Sequence, residues 1–86
     1  MKGLVPIVEP EILIDGDHSI QTSADVSHRV ISACVAALWQ QPGICLEAVL
    51  LKPQMCIPGA DWVGPTSAPA EVAEHTLRVM KRCGCL

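Results

Sequence analysis

The sequence predicts an α/β protein, two parallel strands each followed by a helix, and three observations lead there. "GLVPIVEPEIL" and "ICLEAVLLK" are nearly continuous apolar runs with Pro or Gly at their margins, as strands covered on both faces read. Each run is followed by a segment whose apolar residues recur at helical spacing. Strands that alternate with amphipathic helices pair in parallel through right-handed crossovers, in an open sheet or a barrel.

The first strand is placed at residues 3–12, with Pro10 breaking its ladder, and the polar turn "IDGDHS" follows. A helix is expected over 19–40. Val30, Ile31, Cys34, Val35 and Leu38 lie on one side, Asp25, His28, Arg29 and Ser32 largely on the other, and Thr22 with Asp25 resembles a capping box. Pro42-Gly43 supplies its stop. The second strand is placed at 44–52, up to Pro53, and a loop rich in Pro and Gly comes next. A second helix over 68–81 is marked by Val72, Ala73, Thr76, Leu77 and Met80, with Ser67 as N-cap and Pro69 in the first turn.

Composition narrows the function. The chain has 86 residues, half of them apolar, but no Phe or Tyr and only Trp39 and Trp62 as aromatics, so its core is thin and the chain alone is expected to be at best molten. Two strands alone leave both as edges. A net charge of −3, from six basic and nine acidic residues, offers no basic stripe for nucleic acid. No apolar run approaches a membrane span, and the run after Met1-Lys2 is broken by Pro6 and Glu9, too short for a signal peptide. Cys34, Cys45, Cys56, Cys83 and Cys85 form an odd set without a C-x-x-C pair, and His18, His28 and His75 are scattered, so reduced thiols and no metal site are expected.

The charged residues then fall into a pattern. Glu9 and Glu11 are two apart in an extended segment and emerge on one face. Lys52 closes the second apolar run, so in neighbouring parallel strands the carboxylates and the amine converge at the carboxyl edge, where α/β sheets and barrels place ligands. Flanked by Val49, Leu50, Leu51 and Pro53, Lys52 should be partly desolvated, which favours a neutral nucleophilic amine, while the carboxylates favour the ammonium. Two carboxylates this close suit proton shuttling. The same pattern equally describes a plain salt bridge at a sheet rim.

The wording of the segments is more specific than their pattern. "GLVPIVEPEIL", "DGDH" and "LLKPQM" with a following "PG" resemble class I fructose-bisphosphate aldolases in order and spacing. That family typically reads G-L-V-P-I-V-E-P-E and L-L-K-P-N-M-V-T-P-G, and the resemblance runs over residues 3–82, including "SAPAEVAEHTLRVMKR". It implies a partial (β/α)₈ TIM barrel, holding the fifth and sixth βα units of a fold that takes roughly 250 residues. By matching position, it implies that Lys52 is the Schiff-base nucleophile, Glu9 the general acid/base and Glu11 a supporting carboxylate. The reaction implied is the glycolytic, reversible cleavage of fructose 1,6-bisphosphate to dihydroxyacetone phosphate and glyceraldehyde 3-phosphate. The family needs no cofactor or metal, takes sugar phosphates, is usually a homotetramer, and is cytoplasmic, with plastid forms.

Departures are visible too. Gln54 stands for the usual Asn, Cys56-Ile57 for Val-Thr and Ala48 for Gly, and the chain is one residue short around Trp39 to Gly43. The family's first-strand aspartate, other active-site lysines and phosphate-binding groups have no counterpart, so negligible turnover is expected of this chain. Residues 83–86 fall outside the resemblance and read as a non-homologous tail. That tail, "CGCL", is formally a C-a-a-X box, which makes a prenylated, membrane-tethered protein one rival reading. A non-catalytic isoform that docks on full-length aldolase through open strand edges is another.

Overall fold

Pro6 and Pro10 decide how much of the first apolar run becomes sheet. In the computed structural model, which describes residues 3–85, β1 is only Ile7–Val8 and β2 only Leu50–Leu51, paired in parallel with Ile7 opposite Leu50 and Val8 opposite Leu51. Leu50 N–H donates to Pro6 C=O at 3.0 Å and Lys52 N–H to Val8 C=O at 2.8 Å. The next donor in this alternation falls at Pro10, which has no N–H, and the ladder stops. The strands are therefore much shorter than the expected 3–12 and 44–52. Ahead of β2 the chain coils into a 3-10 turn at Leu46–Ala48, so most of that apolar run is not sheet.

Helix α1 spans Ile20–Trp39 and α2 spans Pro69–Arg82. The α1 cap is Ser19 rather than a Thr22–Asp25 box: Ser19 is extended directly after the polar turn, and its hydroxyl accepts from Thr22 N–H at 3.2 Å. In α2 the N-cap is Ala68 rather than Ser67. Pro69 occupies the first helical position and forces its predecessor into the extended region, leaving a cap with no side-chain bond. The α2 exit is a Schellman turn: Gly84, at φ +76°, follows the Cys83 cap, Gly84 N–H donates to Lys81 C=O, and Cys85 N–H to Met80 C=O. Leu86, and with it the end of the C-a-a-X box, lies outside the described residues, as do Met1 and Lys2 of the leader reading.

The helices pack on each other and on one face of the sheet. The buried stripe of α1 is Ile20, Ser23, Ser27 and Ile31, and Val79, Met80, Cys83 and Cys56 complete the core. Ser32 Oγ lies 3.3 Å from Cys83 Sγ, joining the middle of α1 to the end of α2, so Ser32 faces the partner helix rather than solvent. Leu51 packs against this cluster, and Val8 and Leu51 with Val35, Leu38 and Met80 line an incompletely filled cleft of about 520 Å³ between sheet and helices. Ile7 and Leu50 point the other way and are 55% and 56% exposed. The chain is elongated, with a radius of gyration of 14.5 Å against about 12 Å for a compact domain of this length. Among the described residues no helix is long and apolar enough to cross a membrane.

So small a core beside so much bare apolar surface should give a loosely held state. We expect the 86-residue chain to bind a dye such as ANS strongly and to unfold in urea over a broad range; a steep transition without dye binding would contradict this. Thiol reactivity should follow burial. At mildly alkaline pH the exposed Cys45 should alkylate first and the fully buried Cys56 last, read by peptide mass spectrometry. Cys85 should lag behind Cys45, because burial, reinforced by the neighbouring Cys83, raises its thiol pKa above the ordinary range.

Candidate active site

The two-residue ladder fixes what stands beside what at its carboxyl end. Carrying the Val8–Leu51 pairing one residue further sets Glu9 opposite Lys52. Side chains alternate along a strand, so Glu9 and Lys52 share the face of Ile7 and Leu50, the one turned away from the helices. Glu9, Glu11 and Lys52 are all exposed. Lys52 is more open than its apolar flanks suggest, because among the described residues β1 is the strand beside it and its side chain is exposed. The rim salt bridge is absent too: among the described residues the ion pair is Arg78 with Glu74 at 2.7 Å, within α2, and Lys52 lies beyond ion-pair reach of both glutamates. The ladder sets the backbones of Glu9 and Lys52 side by side without closing a contact, and Glu11 lies beyond it.

Beyond the ladder, hydrogen bonds rather than sheet hold the two strand ends together. Gln54 Oε1 accepts from Ile12 N–H at 2.7 Å, joining the segment after Lys52 to the segment after Glu11. Cys56 N–H donates to Thr76 Oγ1 at 2.9 Å, tying the same loop down to α2. Three backbone bonds then lace its far end to the polar turn: Gly59 N–H to His18 C=O, Ala60 N–H to Ile14 C=O and Asp61 N–H to Gly16 C=O, at 2.9, 2.7 and 2.8 Å. The seam is so tight that a Cβ on Gly59 would collide with the Gly16 carbonyl. Between the laced segments lies an open cleft of about 390 Å³, lined by Ile12, Leu13, His18, Ser23, Gln54 and Met55 among others.

Sequence reasoning did not find Gln54, Gly59 or Thr76 as site-building residues. Gly59 had a signal in the "PG" dipeptide, and Thr76 in its place on the apolar stripe of α2, but the Gln54 partner lies 42 residues away. Elsewhere, Trp62 folds over Gly64 and donates from its indole to Pro65 C=O at 3.1 Å. Glu47, fully exposed, has its carboxyl pKa lowered by a bond from its own backbone N–H and by the Cys45 thiol. No cluster of three or more metal-ligating side chains occurs among the described residues.

Two parallel strands, each followed by a helix, with a lysine and a glutamate in register at their carboxyl end, define a piece of an α/β fold. The family model for glycolytic class I fructose-bisphosphate aldolase matches residues 1–84, and the chain belongs to that family. It is 51% identical over 81 residues to the cytosolic fructose-bisphosphate aldolase 6 of Arabidopsis thaliana, an alignment covering 94% of this chain and 22% of that protein. The chloroplastic aldolase 3 of the same plant is 48% identical over 81 residues, covering 94% of this chain and 20% of that one. Among solved structures, the aldolase of Plasmodium falciparum, in complex with TRAP and a small-molecule inhibitor, superposes with a TM-score of 0.86 at 44% identity, over 93% of this chain and 22% of that one. The chain thus spans about a fifth of the length of the relatives it matches.

The Gly59 seam makes a direct prediction. Gly59→Ala should force the two loops apart at a cost of about 1–3 kcal/mol. Hydrogen exchange at Ala60 and Asp61 should accelerate while the amides of α1 keep their rates; unchanged exchange at both would show that the seam tolerates a methyl.

Proposed function

We propose that the chain is part of a (β/α)₈ aldolase barrel and carries its Schiff-base lysine, Lys52, with Glu9 as acid/base and Glu11 as supporting carboxylate. The observation that carries this reading is the register that sets Glu9 opposite Lys52 on the open face of a parallel pair. In a closed barrel that face is the interior, and its carboxyl rim is where substrate binds.

The chemistry follows from the residue types. The neutral Lys52 amine attacks C2 of the ketose phosphate and forms a carbinolamine. Glu9, in its acid form, protonates the carbinolamine hydroxyl, which leaves as water as the C–N double bond forms. A carboxylate base takes the proton of the C4 hydroxyl, the C3–C4 bond breaks as its electron pair passes into the protonated imine, and the aldehyde leaves with an enamine remaining on Lys52. Protonation of that enamine and hydrolysis, with Glu9 now acting as base toward water, restore the amine. Glu11, two residues past Glu9, adds negative charge that favours the cationic imine over the neutral amine.

Open exposure of Lys52 also explains why this chain alone should turn over negligibly. Among the described residues nothing covers Lys52 to hold a substrate carbonyl against its amine. Two measurements test the reading. Incubation with dihydroxyacetone phosphate and cyanoborohydride, followed by peptide mapping, should place the reduced adduct on Lys52 in preference to the equally exposed Lys81; equal labelling would remove Lys52 from its role. Appreciable cleavage of fructose 1,6-bisphosphate by the purified chain would overturn the inactivity.

A further inference from the structure

We propose that Gln54 is a positioning residue, its side chain replacing a missing rung of the β1–β2 ladder so that Glu9 and Glu11 stay beside Lys52. The inference rests on the Schiff-base reading of Lys52 and deepens it. The backbone alternation of β1 presents positions 6, 8, 10 and 12 toward β2. Pro6 C=O takes Leu50 N–H and Val8 C=O takes Lys52 N–H, but Pro10 has no hydrogen to give to the next rung. The following donor on that side is Ile12 N–H, and in a regular parallel ladder it would reach the main-chain carbonyl of residue 54. Here it meets Gln54 Oε1 instead, at 2.7 Å.

The substitution of side chain for main chain has a geometric reason. Pro10 follows β1 and Pro53 follows β2, the regular ladder ends there, and the reach of the Gln54 side chain brings an acceptor to Ile12 N–H where no main-chain carbonyl does. The contact also orients the amide, since an N–H can be met only by its oxygen. Neither of the other ties does this work: the Cys56–Thr76 bond holds the loop to α2, and the Gly59–Asp61 seam holds it to the turn beyond Ile14. The Gln54–Ile12 bond alone joins the two strand-end segments, one residue past Glu11 and two past Lys52. Gln54 touches no reacting atom in this account and acts through the placement of the glutamate segment.

The test compares Gln54→Leu, which keeps bulk but removes the acceptor, with Gln54→Glu, which keeps an acceptor oxygen. In Gln54→Leu the Ile12 amide should exchange about three- to tenfold faster, and the preference of cyanoborohydride trapping for Lys52 over Lys81 should fall by a similar factor, with helical circular dichroism unchanged. Gln54→Glu should restore both. Wild-type exchange at Ile12 in Gln54→Leu overturns the bond, and faster exchange with undiminished Lys52 preference overturns the positioning role. Should the wild-type chain show no preference for Lys52, the Schiff-base reading fails and the positioning role with it, while Ile12 exchange still decides whether Gln54 supplies the rung.

Discussion

The architecture depends on two rungs of parallel pairing, Leu50 to Pro6 and Lys52 to Val8. They bring together segments more than forty residues apart and fix their register, which no local preference could do. A shift by one residue would turn Lys52 and Leu50 toward the helices and Leu51 out to water. The register is held because Leu51 must reach the cluster of Ile31, Val79 and Met80, while Lys52 cannot be buried without a partner. Burial on the helix side thus selects the placement of charge on the other.

What continues the pairing past the prolines is a set of single hydrogen bonds, each supplied by a different kind of group: a glutamine amide, a threonine hydroxyl and three loop amides. Each contributes on the order of 1 kcal/mol net, so they do not replace a core. They do give the loop after Lys52 one path, which a flexible Pro- and Gly-rich segment would otherwise lack. Thr76 links that path to the helix layer, so packing of α2 and the course of the lysine loop are coupled.

Both helices were legible in the sequence because their periodicity spans many residues and their stops are local: Pro42-Gly43 after α1, and Pro69 at the start of α2. The strands were legible as apolar runs but not in length, since sheet needs donors and Pro6 and Pro10 withhold them on the side facing β2. The caps came out displaced for a similar reason, with Pro69 dictating Ala68 and the polar turn presenting Ser19. Glu9 and Lys52 could be set opposite each other from spacing, while the chemistry proposed for Glu9, Glu11 and Lys52 came only through likeness to a family. Gln54 and Gly59 were illegible as builders because their partners, Ile12 and Gly16, are joined to them by the fold and not by any sequence interval. The exposure of Lys52 was misjudged because desolvation belongs to neighbours across the face, not to flanking residues along the chain.

The Schellman turn at the end of α2 bears on covalent modification of the "CGC" segment. Cys83, the sulfur a lipid transferase would have to alkylate, is buried against α1, facing Ser32 Oγ and the His28 carbonyl, and its backbone caps the helix. Alkylation there requires the last helical turn to unwind, Gly84 to leave its left-handed conformation, and the contact between the two helices to open. A thiol that helps close the core is a guarded substrate, so any enzyme acting on it would compete directly with folding.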